Sequence, residues 1–147
     1  MLDLPKEAMW GLFALHVLAS KTRAAGAGEI ARQGRIPAKR LAPILKKLRA
    51  AGLVRGRVGH GYILAKPAGS VSVHDVARLF ADEKSPTVNC TERYELCAFH
   101  ESCALAPLCR EAWERARSAM RAFTIADLRQ SPPALADCAR SHFRKLG

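Results

Sequence analysis

The sequence predicts a mainly α-helical protein that carries one small β-hairpin and a long helix in its second half, and three observations predict this fold. Apolar residues recur at the three- and four-residue spacing of a helix along most of the chain. Two short apolar runs, at positions 53–54 and 62–64, flank a glycine-rich stretch that suits a hairpin. An apolar stripe then follows one helix face over residues 105–123, which indicates a helix that packs on a partner.

The composition describes a chain that can bury a core and that carries a large positive charge. It has 147 residues, of which 49% are hydrophobic, and its formal net charge is +11. This length fits one ordinary domain, or a small domain with an appended piece. The longest apolar stretch, residues 8–19, is too short to cross a bilayer. Acidic Asp3 and Glu7 precede it where a signal peptide carries positive charge, so we expect a cytoplasmic chain without a membrane segment.

The positive charge is concentrated in the first half of the chain. Residues 1–66 hold 13 Lys and Arg against three acidic residues, whereas residues 67–147 hold 11 against ten. Basic side chains that neutralise phosphates release condensed counterions, so a one-sided distribution of this kind is typical of nucleic-acid binding. A basic, solvated face that binds nothing is the alternative that charge alone leaves open.

The first half predicts three helices, of which the second and third form a pair. The first should begin at Pro5 and run to about residue 20, with apolar residues on all sides, so it should be buried. A short helix over residues 29–33 should end at Gly34. A longer one, with Pro37 in its first turn, should stop at Gly52. Two short helices joined by a tight glycine-containing turn are typical of a helix-turn-helix, whose second helix lies in the major groove of DNA.

The hairpin that follows this basic helix predicts a wing. Its loop, residues 55–61, is basic and rich in glycine, so its tip can approach a phosphate backbone closely. We expect the N-terminal end of the helix to contact base edges, with Arg40 the first candidate for a bidentate bond to guanine. His60 is a candidate phosphate ligand, although a solvated loop histidine is the commoner case. The candidate DNA contacts are Lys39, Arg40, Lys46, Lys47, Arg49, Arg55, Arg57 and His60.

The second half predicts a connecting helix, a loop rich in cysteine and acid, and a dimerisation helix. Ser72 should cap a helix over residues 73–82, and Thr124 should cap a short helix over residues 125–130. Residues 82–103 show no sustained helical period and hold three of the five cysteines. The predicted organisation is a winged helix-turn-helix domain (1–66), a connecting helix (67–82), a cysteine-bearing loop (83–104), a dimerisation helix with a short closing helix (105–130) and a tail (131–147).

The cysteine spacing indicates metal or redox chemistry without choosing between them. Cys90, Cys97, Cys103 and Cys109 are separated by six, five and five residues, and Cys138 stands apart. These spacings are wider than those of most structural zinc sites, and a reducing compartment disfavours stable disulfides. Three thiolates on a loop suit an iron–sulfur cluster whose fourth ligand is His or a carboxylate. A cluster, a zinc or disulfide site, and free thiols all stay open on spacing alone.

In combination, these features resemble the IscR/NsrR-type family of bacterial winged-helix transcription regulators. The resemblance covers about residues 4–128 and depends on the combination, because no single piece is specific. The matching pieces are the end of the basic helix with LRAAGLV (48–54), the end of the wing with GYIL (61–64), the helix at 73–80, the cysteine loop, and TIADL (124–128).

The resemblance implies a homodimer that binds double-stranded DNA at a palindromic operator. It also implies an iron–sulfur cluster, [2Fe–2S] or [4Fe–4S], held by three cysteine positions that fall here on Cys90, Cys97 and Cys103. The family's fourth ligand is a His three residues after the third cysteine, or an acidic residue near the start of the other subunit's first helix. Those positions hold Ala106 and Met9 in this chain. The candidates in their place are, in order, Glu7, Cys109, His100 and Asp3.

The sequence thus predicts a dimeric transcription repressor whose operator affinity is set by an iron–sulfur cluster that senses redox state, nitric oxide, or iron and cluster supply. We expect no enzyme, since the sequence contains no nucleophile–histidine–acid constellation, phosphate-cradling glycine loop or paired carboxylates in a cleft-like context. Two alternatives stay open. The same scaffold could use zinc or a thiol–disulfide switch, or it could bind a metabolic enzyme as a regulatory subunit.

Overall fold

A computed structural model describes residues 4–81, 99 and 101–129, and within these residues it confirms a mainly helical fold with a two-stranded antiparallel wing. None of the helices in these ranges is both long enough and apolar enough to cross a bilayer. The elements are α1 (Lys6–Ala19), α2 (Ala27–Gly34), α3 (Ala38–Ala50), β1 (Val54–Arg57), β2 (Gly61–Leu64), α4 (Val73–Phe80), α5 (Ala106–Ala122) and α6 (Ile125–Arg129).

Helix α1 forms the centre of the core, as its all-round apolar composition predicts. Half of its 14 residues are buried, and Leu15 is fully inaccessible to solvent. It packs against α2, α3, α4, α6 and strand β2. Gly11 allows α4 to approach closely, because a Cβ at this position would lie 2.7 Å from Cε2 of the Phe80 ring.

The helix-turn-helix pair forms as predicted, except that α2 begins at Ala27, two residues before the predicted start, and that its end in the turn differs. Helix α2 continues through Gly34, and the left-handed residue that ends it is Arg35, with φ of 51°. Ile36 explains the shift: its N–H donates to the carbonyl of Ala31 at 2.9 Å, and its side chain fills the space beside Gly34. A left-handed residue other than glycine costs about 1–2 kcal/mol, so packing of Ile36 has outweighed backbone preference here.

Helix α3 ends where the sequence predicts and contains one residue that a helix tolerates poorly. Gly52 follows the helix with φ of 68°, as expected of a glycine just past a helix end. Pro43 lies inside α3 and provides no N–H, so the carbonyl of Lys39 has no helical donor. The helix continues across this position because Leu41, Ile44, Leu45 and Leu48 are buried along its inner face.

The wing is a hairpin attached to the turn before α2. Val54 pairs with Leu64, and Gly56 has φ of 131°, in a region that favours glycine. A Cβ at Gly56 would collide with the carbonyl of Gly61 on the opposite strand. On the other side of β2, Tyr62 exchanges two backbone hydrogen bonds with Ala25, at 2.8 and 2.9 Å. The wing is therefore held in a fixed position relative to the helix pair.

The starts of α4 and α6 lie side by side, and in each an aspartate side chain accepts the N–H of the residue before the helix. The hydroxyl of Ser72 accepts the N–H of Asp75 at 3.1 Å, and the carboxylate of Asp75 accepts the N–H of Ser72 at 3.2 Å, which completes the predicted cap. At α6, the carboxylate of Asp127 accepts the N–H and the hydroxyl of Thr124, both at 2.7 Å. An isolated β-bridge joins Ser72 to Thr124.

Several predicted helix ends differ slightly from those observed. Helix α4 ends at Phe80, two residues before the predicted end, and α5 begins at Ala106 rather than at residue 105. Most of the predicted cysteine-bearing loop and all of the tail (131–147) lie outside the described residues. The domain boundaries at residues 66, 82, 104 and 130 therefore stay predictions.

Candidate nucleic-acid interface

The outward face of α3 carries lysine side chains opposite its buried face. Lys39 and Lys46 are seven residues apart, so they lie on one face about two turns apart, and both are exposed. Arg49 lies on the flank nearer the wing, where its guanidinium donates to the carbonyl of Gly56 at 3.3 Å. The recognition helix and the wing are thus joined at the edge of one basic surface.

The wing adds two arginines and a histidine to this surface. Arg55 and Arg57 alternate along β1, so they share a face, and both are exposed. Arg57 lies against His60, with Nε 3.2 Å from Nδ1 and Nη2 3.1 Å from Nε2. A surface cleft of about 580 Å³ lies between the wing and the end of α3, and Arg49 also lines it. Among the described residues, no acidic side chain lines this cleft.

The tip of the wing is apolar rather than basic. Val58 is 83% exposed, the most exposed of the large hydrophobic residues that the structure describes. Apolar side chains on such projections are used by some proteins in the minor groove of DNA. The set of basic candidates chosen from composition therefore misses Val58, which the fold places at the tip of the wing.

One acidic side chain neutralises part of the positive charge beside the helix pair. The carboxylate of Glu29 lies 2.9 Å from Nζ of Lys21 and 3.3 Å from the guanidinium of Arg23. The hydrogen bond from Lys21 is the main reason that the pKa of Glu29 is lowered. These ion pairs join the end of α1 to α2, and Glu29 cancels one of the two positive charges of Lys21 and Arg23.

Lys47 differs from the other predicted DNA contacts in its surroundings. Its ammonium lies 5.1 Å from the centroid of the Phe80 ring, at the end of α4. Lys47 is nevertheless exposed, as are Lys39, Arg40, Lys46, Arg49, Arg55, Arg57 and His60 on α3 and the wing.

The structure describes only some of the predicted metal ligands. Cys90, Cys97, His100 and Asp3 lie outside the described residues. Cys103 is exposed in the turn before α5, with its N–H on the carbonyl of residue 99 at 2.8 Å.

The remaining candidates are described but lie on different elements. Cys109 is half-buried in the first turn of α5, and Glu7 is exposed in the first turn of α1. Within residues 4–81, 99 and 101–129, no group of three or more Cys, His, Asp or Glu could hold a metal ion. The predicted ligand set is therefore neither assembled nor tested by the part of the chain that the structure describes.

Helix α5 presents the predicted apolar stripe without burying it. None of its residues is buried, and Leu108 is 66% exposed. Leu105 and Phe123, which flank the helix, are 61% and 59% exposed. Trp113 is half-buried and stacks on the guanidinium of Arg117, 4.0 Å from the ring centroid.

A buried histidine on α4 was not singled out by its sequence context. His74 is only 7% exposed, and burial is the main reason that its pKa is lowered. The positive charges of Arg121, Arg78 and Arg117 lower it further, while Asp75 opposes them. The only sequence signal was its place among apolar residues in a helix, which is equally typical of a structural residue.

Comparison with known proteins relates this geometry to transcription regulators. A family model described as Rrf2, iron-dependent transcriptional regulator, matches residues 4–131. No curated protein matches the sequence.

Three of the solved structures that share the fold illustrate the similarity. CymR of B. subtilis, described as the global cysteine regulator, is similar with a TM-score of 0.68 at 21% identity, covering 90% of this chain and 99% of that one. IscR of T. potens gives 0.67 at 20% identity, covering 86% and 85%. The oxidized form of Staphylococcus aureus CymR gives 0.67 at 22% identity, covering 89% and 98%.

Proposed function

Since the chain belongs to the Rrf2 family of transcriptional regulators and is a DNA-binding protein rather than an enzyme, we propose that it is a homodimeric repressor that acts in the cytoplasm. Its target would be a palindromic operator in double-stranded DNA, and its affinity would depend on an iron–sulfur cluster. The observation that carries the proposal is the continuous basic surface formed by α3 and the wing, joined by the contact between Arg49 and Gly56.

We propose different DNA contacts for different parts of this surface, namely base edges, the minor groove and backbone phosphates. Lys39 and Arg40, near the N-terminal end of α3, are the candidates for base edges, with Arg40 placed for guanine. Val58 at the wing tip suits an apolar contact in the minor groove. The candidates for phosphate contacts are Lys46, Arg49, Arg55, Arg57 and His60.

Selection of duplexes from a randomised pool by the wild-type chain tests this function. We expect enrichment of a two-fold symmetric sequence whose half-sites are about one helical turn, or a multiple of it, apart. Arg40→Ala should relax the preference at one base pair in each half-site, at a cost of about 1–3 kcal/mol. Enrichment of no sequence would contradict operator recognition and would favour the regulatory-subunit alternative.

The homodimer is proposed from the exposed apolar face of α5. An apolar surface formed by Leu108 on α5 and by Leu105 and Phe123 at its two ends, each more than half exposed, is larger than isolated surface leucines explain. A second copy of α5 would cover it, and the two α3 helices would then be related by the same two-fold axis as the operator.

Cysteine thiolates in the segment 83–104 are proposed to hold the cluster, and their donor chemistry fits it. Cys90, Cys97 and Cys103 supply soft sulfur ligands, of which Cys103 is described and exposed. Glu7 is the first candidate for the fourth ligand, ahead of Cys109, His100 and Asp3. When bound, the cluster supplies a redox-active or labile centre. The chain itself would reorder its acidic segment, and this would change the separation of the two α3 helices. Half-site spacing requires that separation to be about 34 to 36 Å.

An absorption spectrum of anaerobically purified protein, with iron and sulfide counts, tests the cluster. We expect visible absorbance and iron in the wild type, and their loss in Cys97→Ser. Colourless, iron-free protein after cluster reconstitution would contradict the sensor proposal and leave DNA binding untouched.

A thiol-based regulator is the second candidate, because Cys103 is exposed and two of the similar structures are CymR, one of them in an oxidized form. In that case, protein without iron would change its operator affinity on treatment with a mild oxidant and recover it with a dithiol reductant. Zinc in place of iron in the metal analysis would identify the remaining alternative.

A further inference from the structure

We propose that Lys47 positions the recognition helix against α4, with Phe80 as the surface on which it rests, and that it does not bind a DNA phosphate. The inference rests on the proposed function, since it concerns how α3 is presented to DNA. It separates Lys47 from Lys46, although the two are adjacent and have the same side chain.

The geometry distinguishes these two lysines. Successive residues of a helix are turned by about 100°, so adjacent side chains leave α3 in different directions. Lys46 shares the outward face with Lys39, whereas Lys47, which is also exposed, leaves α3 on the flank nearer Phe80. The ammonium of Lys47 lies 5.1 Å from the centroid of the Phe80 ring, within the distance of about 6 Å at which a cation is attracted to an aromatic face.

The ring that holds Lys47 is itself fixed. Phe80 is 7% exposed, and it packs so closely on α1 that a methyl group at Gly11 would lie 2.7 Å from the ring. The same glycine faces a Val76 methyl at 3.4 Å in α4. A cation that rests on this ring is therefore held against α1 and α4, beside the later turns of α3, where Leu45 and Leu48 are buried.

This contact links the end of α4 to α3 through two side chains. Phe80 is the last residue of α4, and the chain enters the predicted cysteine-bearing loop three residues later. Lys47 and Phe80 thus join the part of the chain proposed to read DNA to the part proposed to sense.

Salt dependence of binding to a random-sequence duplex tests the proposal, with Lys46→Met as the matched control for Lys47→Met. Each variant keeps the aliphatic length of the side chain and removes one positive charge. Loss of a phosphate contact lowers the slope of log affinity against log salt by about one per subunit. We expect this decrease in Lys46→Met and an unchanged slope in Lys47→Met. A decrease in Lys47→Met equal to that of the control would overturn the proposal.

Selectivity provides the second readout, measured as affinity for the duplex selected by the wild type divided by affinity for the random duplex. We expect Lys47→Met and Phe80→Leu to lower this ratio about two- to fivefold. Lys47→Arg should keep the wild-type ratio, because a guanidinium also stacks on an aromatic ring. An unchanged ratio in Lys47→Met would equally overturn a positioning role. Loss of duplex binding by the wild type itself would instead contradict the proposed function.

Discussion

The two longest described helices differ in how they use their apolar residues. Helix α1 has 14 residues and buries seven of them in contact with four other helices, whereas α5 has 17 residues and buries none. Among the described residues, the buried core is therefore built around α1 and includes no residue of α5. The stripe on α5 adds nothing to that core, and this is why we propose that a second copy covers it.

The largest expected effect comes from opening the core around α1. Leu15→Ala removes a side chain that is fully inaccessible, and we expect a loss of about 2–5 kcal/mol in the free energy of unfolding. Leu108→Ala is the control, because its side chain is 66% exposed and should cost less than about 0.5 kcal/mol within one chain. Urea unfolding in dilute solution measures both. Equal losses would show that α5 belongs to the core after all.

A charge on the stripe of α5 should separate the two copies without unfolding either. Leu108→Asp would place a carboxylate in the proposed interface, and we expect association to weaken by at least about tenfold, or 1.4 kcal/mol. Sedimentation equilibrium should show the mass falling from twice 16.0 kDa towards 16.0 kDa. Arg110→Asp, on the opposite face of α5, is the control and should leave the mass unchanged. A wild-type chain that sediments as a monomer would refute the dimer directly.

Closing the gap at Gly11 tests how tightly α1 and α4 are packed. Alanine favours a helix over glycine by up to about 1 kcal/mol, but its Cβ would meet the buried Phe80 ring at 2.7 Å. Overpacking of this kind costs about 1–3 kcal/mol, so we expect Gly11→Ala to destabilise the fold by about 1 kcal/mol net.

Gly28→Ala is the matched control for this substitution, because nothing lies within 4 Å of its added Cβ. Thermal unfolding of both variants measures the difference, and we expect Gly28→Ala to be neutral or slightly stabilising. A stabilising Gly11→Ala would mean that the ring moves aside freely, which would also weaken the argument that Phe80 is a fixed support for Lys47.

The smallest expected effect is a loss of stability on acidification. Burial holds the pKa of His74 below its ordinary value, and hydrogen bonds from Ser72 and Thr124 hold the pKa values of Asp75 and Asp127 low. All three groups bind protons more readily in the unfolded state. The free energy of unfolding should therefore be greatest near neutral pH and should decrease as the pH is lowered.

The two residue types act in different pH ranges, which variants can separate. The contribution of His74 begins to be lost below about pH 6.5, and those of the two carboxylates below about pH 4. We expect Asp127→Asn to remove part of the loss at the lower range and none at the higher one. Unfolding midpoints measured across pH would contradict this assignment if stability rose between pH 7 and 5.

The sequence carried enough information for the elements that depend on local patterns. The apolar surround of α1, the cap at Ser72 and the glycine at position 52 each reflect a local rule, and each prediction is confirmed. The left-handed residue after α2 was not foreseen, because the packing of Ile36 decides it and no local rule expresses that contact.

Residue roles in the candidate interface were less predictable than the fold. A list of basic residues does not separate Lys47, which rests on Phe80, from Lys46, which is turned outward, because the difference depends on where α4 ends. Lys21 and Arg23 counted toward the basic half, yet the ion pairs with Glu29 become visible only when α1 and α2 are packed.

Salt dependence in a variant of the wing tests the central claim most directly, namely that α3 and the wing form one surface that binds the phosphate backbone. Arg55→Ala combined with Arg57→Ala removes two exposed guanidinium groups from the cleft beside α3. The account predicts that the slope of log affinity against log salt falls by about two per subunit relative to the wild type, on operator and random duplexes alike. An unchanged slope and affinity would contradict it.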